Sequence, residues 1–312
     1  MHKFYKYLSA REKLMKVVFL LSSIFSIVAL AFIILFLLIT SIPPIANIGL
    51  FKFIFGTNWQ PESGHFGIMP MIFGTIYLTC LAMVMGAVFG LLAAVFLYKF
   101  CPKRFVEPAR QVVNILAGIP SVVYGLFAML IIVPFVQVNL SPNYSGTGLL
   151  SASLILAIMI MPTVISISLD AMLSVPKSYF EGALALGATK EQAVFKVMMP
   201  AAKSGIFASI VLATARAMGE TMAVVMVIGN IPNMSWSVFE SSATLTSNIA
   251  MSVKELSGDA QAALIASGLV LLILSLMLNV GFSLIKNKKP KKKDKQSFIK
   301  RLCIKRCENE AK

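Results

Sequence analysis

Charge is scarce in this sequence. Only 13% of its 312 residues are Asp, Glu, Lys or Arg, whereas 58% are hydrophobic, and a soluble globular domain carries about 25% charged residues. Histidine occurs only at His2 and His65, and neither an HExxH nor a GxSxG motif is present. A soluble domain is therefore excluded. A membrane-embedded enzyme would lack nucleophiles, bases and metal ligands, so we expect no catalytic residue and no metal site.

Two further shortages narrow the chemistry. No GxxxxGK[ST] loop occurs, so any ATP used together with this chain must be hydrolysed by a partner, and no cofactor is expected on the chain itself. The four cysteines are Cys80, Cys101, Cys303 and Cys307. None falls in a loop predicted to be external, so no structural disulfide is expected. A lone CxxxC at Cys303 and Cys307 favours free thiols over a metal site.

Long apolar runs dominate what is present. Each is long enough for a helix of about 20 residues to cross a bilayer. The six runs cover about 17–40, 69–98, 111–136, 149–169, 204–229 and 261–285. They predict an all-α, polytopic membrane protein with six transmembrane helices. The first run is too long for a cleavable signal peptide and no small-residue cleavage site follows it.

Basic residues predict the orientation of these spans. With six spans, both termini share one side of the membrane with the loops 99–110 and 170–203. That side holds 25 of the 28 Lys and Arg residues, and the other side holds only Lys52 and Lys254. The positive-inside rule then places the termini and those two loops in the cytoplasm of a bacterial cell. Because the +15 net charge is explained in this way, nucleic-acid binding is not expected.

The chain divides into one membrane domain and two appendages. We expect a cytoplasmic N-terminus at 1–16, the six-span domain at 17–285, and a basic cytoplasmic tail at 286–312. The tail includes KNKKPKKKDK, a charge run without an apolar face, so it is expected to be disordered and to touch anionic lipid.

The external loops 41–68 and 230–260 are too long for simple turns, and each holds one tryptophan, Trp59 or Trp236. Interfacial anchoring in the membrane explains these tryptophans, and docking to an external partner is the alternative.

Helix breakers recur inside the spans. The stretch NILAGIPSVVYG, residues 114–125, holds three breakers within eight residues, and Pro162 interrupts the fourth run. A proline kink at membrane depth is tolerated where neighbours or a cavity satisfy the backbone. Ser121 and Tyr124 beside the kink suit the wall of a solute pathway, although Gly and Pro also serve close helix packing.

The loop 170–203 carries helix punctuation. Pro176 opens and Gly187 closes a first short helix, and TKEQ, residues 189–192, has the spacing of a capping box. The second short helix presents an apolar face and is expected to end before Pro200. Such a pair of helices is typical of a docking device, and an interfacial hairpin without a partner is the alternative.

The stretch EGALALGATKEQAVFKVMMP, residues 181–200, resembles the EAA loop of bacterial ABC importer permeases. Glu181, Ala183, Gly187 and Pro200 fit that motif without a gap, whereas Gly182, Val197 and Met199 depart from it conservatively. The resemblance implies that this loop is a coupling helix, which inserts into a groove of a separate ATP-binding subunit. The residues implicated in coupling are Glu181, Gly182, Ala183, Gly187, Ala188 and Pro200.

One charged pair lies inside an apolar run. Arg216 and Glu220 are the only charges between 204 and 229, about twelve residues from either end, which places Arg216 roughly 18 Å deep. Spaced four apart on a helix, they would share one face. Such a pair is either a buried bridge that fixes packing or a functional site, and the cost of burying charge favours function. The guanidinium fork matches an oxyanion.

The proposed role of the pair is exchange, in which Glu220 holds Arg216 until an anion displaces it. Small residues around the arginine leave room for a solute or for a neighbouring helix. They are Ala213, Ala217, Gly219 and Ala223.

The segment RAMGETMAVVMVIGN, residues 216–230, resembles the PstC-type permease subunit of bacterial phosphate ABC importers, as do FGIMPMIFGTIYLT and GIPSVVYG. The resemblance implies a pathway containing Arg216, Glu220, Thr221, Ser121 and Tyr124. It also implies a sister permease forming a heterodimer with this chain, two ATP-binding subunits and an external phosphate-binding protein. A permease for another oxyanion, sulfate or molybdate, and a passive channel are the alternatives.

Overall fold

The computed structural model describes residues 10–140 and 146–287. The expected disorder of the basic tail and the thiols Cys303 and Cys307 lie outside these residues, as do residues 1–9 of the N-terminus. Within the described part, the chain forms thirteen α-helices and one small hairpin. The helices are α1 Ala10–Ile48, α2 Leu50–Phe55, α3 Met69–Val95, α4 Lys103–Gly118, α5 Ser121–Phe127, α6 Val133–Asn139, α7 Leu149–Leu173, α8 Lys177–Ala185, α9 Lys190–Ala193, α10 Met199–Gly219, α11 Met222–Val227, α12 Leu245–Ser252 and α13 Gly258–Asn287; the hairpin strands are β1 Trp59–Gln60 and β2 His65–Phe66.

Six spans are long and apolar enough to cross a membrane in the described part of the chain, as the sequence predicts. They are Leu14–Ile48, Met69–Phe100, Ser121–Asn139, Leu149–Leu173, Lys190–Gly219 and Gly258–Phe282. Three of them contain a π-helical turn, at Phe96–Phe100, Ala128–Ile132 and Val194–Met198. Because the number of these spans is even, both ends of the described chain lie on the same side of the bundle, which we call the terminal side. The segments 49–68 and 245–257 lie on the opposite side.

Two predicted spans have different bounds. The third span begins at Ser121 and not at 111, because α4 is a separate amphipathic helix that ends at Gly118. The fifth span does not reach 229, because its helix ends at Gly219. In contrast, Pro162 does not interrupt the fourth span: α7 runs unbroken through it, since packing on several sides holds the helix across the missing hydrogen bond.

Helix α7 is the centre of the bundle. It packs against α3, α10, α4 and α5, and glycines permit the close approach. A Cβ on Gly86 of α3 would stand 2.7 Å from the Ile160 side chain, and one on Gly205 of α10 would stand 2.4 Å from Ala171. Between α7 and α10, Ser168 and Ser209 share a buried hydrogen bond of 2.8 Å. Small residues and shared hydroxyls are how helices associate in lipid, where no hydrophobic force drives them together.

Helix α1 lies at the periphery. It packs chiefly against α13, and its apolar side chains are mostly exposed, Phe25 by 76% and Phe32 by 71%. Such a surface is suited to lipid and not to water. The opposite side of the bundle is closed by α2, the hairpin and α12, which pack with α3 and α13 around Phe53, Ile68 and Leu245.

Candidate functional site

The segment around Arg216 is a broken helix. Helix α10 ends at Gly219, Glu220 is extended (φ −70°, ψ 128°), and α11 begins at Met222 after Thr221. The predicted placement of Arg216 and Glu220 on one face of one helix is therefore wrong. The peptide direction changes between them, because Gly219 ends the first helix and the extended Glu220 turns the chain before the second begins.

Arg216 is exposed on the bundle surface, in the last turn of α10. Its Nη1 atom donates a hydrogen bond to Thr163 Oγ1 at 3.2 Å. Within the described residues it makes no ion pair, with Glu220 or with any other carboxylate. The predicted bridge is thus absent, and the guanidinium is held by one neutral hydroxyl. Sequence reasoning missed Thr163, although a hydroxyl directly after Pro162 in an apolar span was the available signal.

Glu220 caps the helix that follows it. Its Oε1 atom accepts hydrogen bonds from the amides of Thr221, at 3.2 Å, and Ala223, at 3.4 Å, and a carboxylate is stabilised by the positive end of a helix. Thr221 turns its own hydroxyl back to the Gly219 carbonyl at 3.3 Å. Glu220 and Thr221 therefore build the break, and the carboxylate remains beside the arginine in sequence without neutralising it.

A short helix from the opposite side supports this break. The Thr246 hydroxyl of α12 donates to the Glu220 carbonyl at 3.1 Å, and the Leu245 amide donates to the Thr75 hydroxyl of α3 at 3.0 Å. A capping box between Thr244 and Ser247 begins α12. These hydroxyls are buried; Thr246 satisfies a carbonyl that the helix break leaves unpaired, and Thr75 satisfies an amide at the start of α12. The sequence predicted only an external loop at 230–260 and not this helix.

Tyr124 bridges a second break. Helix α4 ends at Gly118 and α5 begins at Ser121, so the predicted kink is a complete interruption. The buried Tyr124 hydroxyl donates to the Leu116 carbonyl at 2.9 Å, and its side chain belongs to the same core cluster as Ala213 and Ala217 of α10. Ser121 is half-buried in the first turn of α5. The structure thus packs Tyr124 in the core beside α10 and leaves Ser121 at the helix start.

The small residues around Arg216 mostly serve packing. Ala213, Ala217 and Ala223 are buried in the central core. Gly125 of α5 faces α11 so closely that a Cβ there would stand 3.0 Å from the Ala223 Cα atom. Only Gly219 opens on free space, with no atom within 4 Å of an added Cβ. Of the two alternatives, a neighbouring helix fills the room at the alanines, and Gly219 leaves space beside the arginine.

The loop 170–203 has the predicted punctuation at its start. Helix α8 follows Pro176, and the chain turns at Gly187 with φ +84°. A capping box joins the Thr189 and Gln192 side chains and backbone amides at 3.3 and 3.2 Å. The coupling candidates Glu181 and Gly182 are exposed, Ala183 is buried and Ala188 is half-buried.

The end of this loop differs from the prediction. The second helix does not stop before Pro200. Residues Lys190–Gly219 form one continuous helical run, with the π turn at Val194–Met198 and Pro200 in the first turn of α10. The π turn just before Pro200 changes the spacing of the backbone hydrogen bonds from four to five residues, which is how the helix passes a residue without an amide donor. The second helix of the loop is therefore continuous with the helix that carries Arg216.

Apolar side chains are exposed on the loop. Leu186 is 91% exposed, Tyr179 54% and Phe195 49%. An exposed cluster of this kind at a polar surface indicates a partner interface. Two contacts hold the loop against the spans on its other side. The Lys99 ammonium lies 4.2 Å from the centre of the Phe180 ring, and Arg110 of α4 forms an ion pair with Asp170 at the end of α7.

Residues 86–288 match the family described as binding-protein-dependent transport system inner membrane component. The chain belongs to this family. The permease is 38% identical to the probable ABC transporter permease protein YqgH of Bacillus subtilis (strain 168), over 72% of this chain and 74% of that protein. It is 32% identical to the phosphate transport system permease protein PstC of Haemophilus influenzae, over 86% and 90% of the two chains. The PstC protein of Mesorhizobium japonicum is 33% identical over 73% and 76%.

Solved structures share the fold of the permease. A bacterial alginate ABC transporter, in complex with an alginate-bound periplasmic protein, has a chain with a TM-score of 0.61 at 14% identity, covering 89% of this chain and 95% of that one. The methionine ABC transporter MetNI, in an inward-facing form, has a TM-score of 0.57 at 21% identity, covering 73% and 98%. The protein is therefore a multi-pass ABC transporter permease subunit of the inner membrane, and the predicted family and all-α fold are confirmed.

Proposed function

We propose that this permease forms half of the membrane pathway of an ATP-driven importer for inorganic phosphate. The observation that carries the proposal is Arg216, a guanidinium at membrane depth without a counter-ion in the described residues. Burying a charged side chain within a membrane span is costly in free energy. Such a residue is retained when it binds a ligand. An oxyanion fits its planar set of donors.

Phosphate is favoured over other oxyanions by two arguments. Relatives that cover more than two thirds of this chain are named phosphate permeases. In addition, hydrogen phosphate carries a P–OH donor, whereas sulfate and molybdate at neutral pH carry none. The Glu220 Oε1 atom is engaged with backbone amides, so its second oxygen, Oε2, accepts such a donor, and a site built around a substrate hydroxyl rejects analogues without it. A passive channel would have no use for the exposed loop cluster.

The transport mechanism begins at the hydrogen bond between Arg216 and Thr163. The arriving anion binds the free donors of the guanidinium, and Thr163 keeps the side chain aimed at the pathway. This replaces the exchange in which Glu220 held Arg216, since the carboxylate is engaged with the amides of Thr221 and Ala223. Tyr124 closes the wall of the pathway across the break between α4 and α5.

Partners complete the machine. The exposed cluster around Leu186 suits the groove of an ATP-binding subunit, with two such subunits in the assembly, and the exposed face at Arg216 suits a sister permease that closes the route. We place the terminal side in the cytoplasm because it carries the basic residues. An external phosphate-binding protein delivers the anion to the opposite side. ATP is hydrolysed by the partner subunits, and this chain contributes no ATPase site.

Uptake of labelled phosphate and sulfate at micromolar concentration tests this function in cells that lack the permease and are complemented with variants. Wild type should restore phosphate uptake, and Arg216→Gln should reduce it at least a hundredfold at matched membrane levels. Arg104→Gln, on the exposed surface of α4, is the matched control and should transport normally.

Glu220→Gln should narrow the preference for phosphate over sulfate, because an amide donates to sulfate as well as accepting from phosphate. Sulfate uptake by wild type would overturn the substrate. Full phosphate uptake by Arg216→Gln would show that Arg216 is not part of the transport pathway.

A further inference from the structure

The opposite side of the permease has few cations. Its loops and helix ends carry four acidic residues and two basic ones. The acids are Glu62, Glu240, Glu255 and Asp259, and the bases are Lys52 and Lys254. The side that faces the external medium is therefore net negative, and a protein that delivers an anion must approach it against this field unless a local positive site receives it.

A small cup lies under the hairpin on this side. It has a volume of about 170 Å³ and is lined on its polar part by Lys52, Thr57, Asn58 and His65. All four side chains are exposed, and Lys52 makes no ion pair within the described residues. Lysine, histidine, asparagine and threonine among the lining residues supply the kinds of donor that bind a carboxylate.

The cup is rigid before anything binds. Trp59 pairs with Phe66 and Gln60 with His65 in the hairpin. The Gly67 amide donates to the Asn58 carbonyl at 2.9 Å, and Gly56 lies so close that a Cβ on Gly67 would stand 2.4 Å from its carbonyl carbon. A preformed cup loses little conformational freedom on binding, which raises affinity for a partner that fits it.

The cup lies away from the proposed anion route. The hairpin and α2 pack with α3 and α13 around Phe53 and Ile68, whereas Arg216 bonds to Thr163 of α7 beside the central core cluster. A free anion held at Lys52 would be outside the pathway. A side chain of a docked protein does not have to enter the pathway. The position of the cup therefore favours a protein as its occupant.

We propose that this cup receives an acidic side chain of the external solute-binding protein, with Lys52 as the charge partner and His65 and Asn58 as hydrogen-bond donors. The inference rests on the proposed function, which assigns such a protein to the importer. Lys254 differs in its surroundings, because Glu255 and Asp259 follow it closely in sequence and offset its charge.

The test measures binding of the phosphate-loaded binding protein to the complete importer in nanodiscs. Lys52→Glu should weaken that affinity at least tenfold, because it places a like charge in the cup, and Lys52→Gln about threefold. Lys254→Glu makes the same charge change on the same side and should stay within twofold of wild type. Because Lys52 is exposed, neither change should lower the yield of assembled complex.

Four results would contradict the proposed role of the cup. These are equal effects of Lys52→Glu and Lys254→Glu, no effect of either, no binding of the loaded protein to wild type, and loss of direct phosphate binding on Lys52→Glu when the binding protein is omitted. The last result would make the cup a free-anion site. Phosphate uptake by wild-type proteoliposomes is measured in parallel. If the loaded protein binds and responds to Lys52→Glu while phosphate is not imported, the cup stands and the proposed substrate fails.

Discussion

At the scale of the residue, Arg216 combines a high cost with weak support. A guanidinium at the centre of a spanning helix costs roughly 2.5–3.5 kcal/mol on insertion scales, and Arg216 lies in the last turn of α10. A hydrogen bond to a charged group returns about 1.5–3 kcal/mol. In this permease the support is one bond from Nη1 to Thr163 Oγ1. Packing alone would be served better by an apolar side chain, so the arginine is explained by what it binds.

Thr163 is expected to position Arg216 for the anion. Thr163→Val keeps the shape of the side chain and removes the acceptor, so the half-saturating phosphate concentration should rise about three- to tenfold while the maximal rate falls less. Thr163→Ser restores the hydroxyl and should behave like wild type. Uptake kinetics over a phosphate series measure both.

Thr214→Val is the matched control for this pair of variants. The Thr214 hydroxyl bonds only the Ile210 carbonyl of its own helix, at 2.8 Å, so its removal should leave transport unchanged. If Thr163→Val has wild-type uptake kinetics, or if Thr163→Ser loses as much phosphate affinity as Thr163→Val, the hydroxyl does not act through Arg216.

The sequence alone identified Arg216 as the candidate but misplaced its neighbour. Isolation of two charges in an apolar run is a local property, and it was visible in the residues. The bridge to Glu220 assumed that the helix continues, and the break at Gly219 depends on the Thr246 and Thr75 hydroxyls, which come from distant elements. Tertiary contacts of this kind, and the approach of Thr163, have no signature within the segment.

At the scale of the element, the loop before α10 is set by one backbone conformation. Gly187 has φ +84°, with nothing within 4 Å of an added Cβ, whereas Gly182 lies inside α8 and is equally open. The two glycines therefore differ in backbone strain and not in available space. A side chain costs about 1–2 kcal/mol in the left-handed region and stabilises a helix interior by about 1 kcal/mol relative to glycine.

Gly187→Ala should weaken capture of the ATP-binding subunit by about five- to thirtyfold, the factor that 1–2 kcal/mol represents, because the turn that presents Leu186 would shift. Gly182→Ala should bind as wild type or slightly better. Titration of the purified ATP-binding subunit onto the permease in detergent measures both affinities. Equal affinities for the two variants would show that the turn at Gly187 does not contribute to docking of the ATP-binding subunit.

Local sequence patterns predicted some turns and helix ends correctly and others wrongly. The capping box at Thr189 and Gln192 and the turn at Gly187 follow from residue chemistry within a few positions, and the structure confirms them. The predicted kink at Gly118 to Pro120 is instead a complete interruption between two helices. Pro200 was misread as a stop. It is compatible with the first turn of α10 only because the π turn before it joins the two helices, and such a turn leaves no recognised pattern in the sequence.

At the scale of the whole molecule, six apolar runs were sufficient to predict six spans, since each must satisfy its own backbone in lipid. Their packing order was not predictable, because glycine contacts such as Gly86 with Ile160 join residues far apart in sequence. The side of each loop is still a prediction from the basic residues.

Thiol labelling of intact cells tests that orientation in a cysteine-free background. Thr57→Cys, between α2 and the hairpin strand β1, should react with a membrane-impermeant maleimide, whereas Leu186→Cys should react only after the cells are opened. Both residues are exposed, so reactivity reports sidedness. The reverse pattern would invert the permease and contradict its role as an importer.

The π turn at Val194–Met198 also governs how this protein can change over generations. A π turn closes bonds five residues apart and so holds one residue more than the α-helical turn it replaces. Deleting a single residue there would restore a regular helix over nearly the same turn, so the directions of Leu186 before it and of Arg216 after it would be kept. The π turn therefore absorbs one extra residue without changing the phase between the membrane half and the docking half of the molecule. It is the place where such a permease tolerates the gain or loss of a single residue, whereas the same change elsewhere in the run Lys190–Gly219 would rotate one half against the other by about 100°.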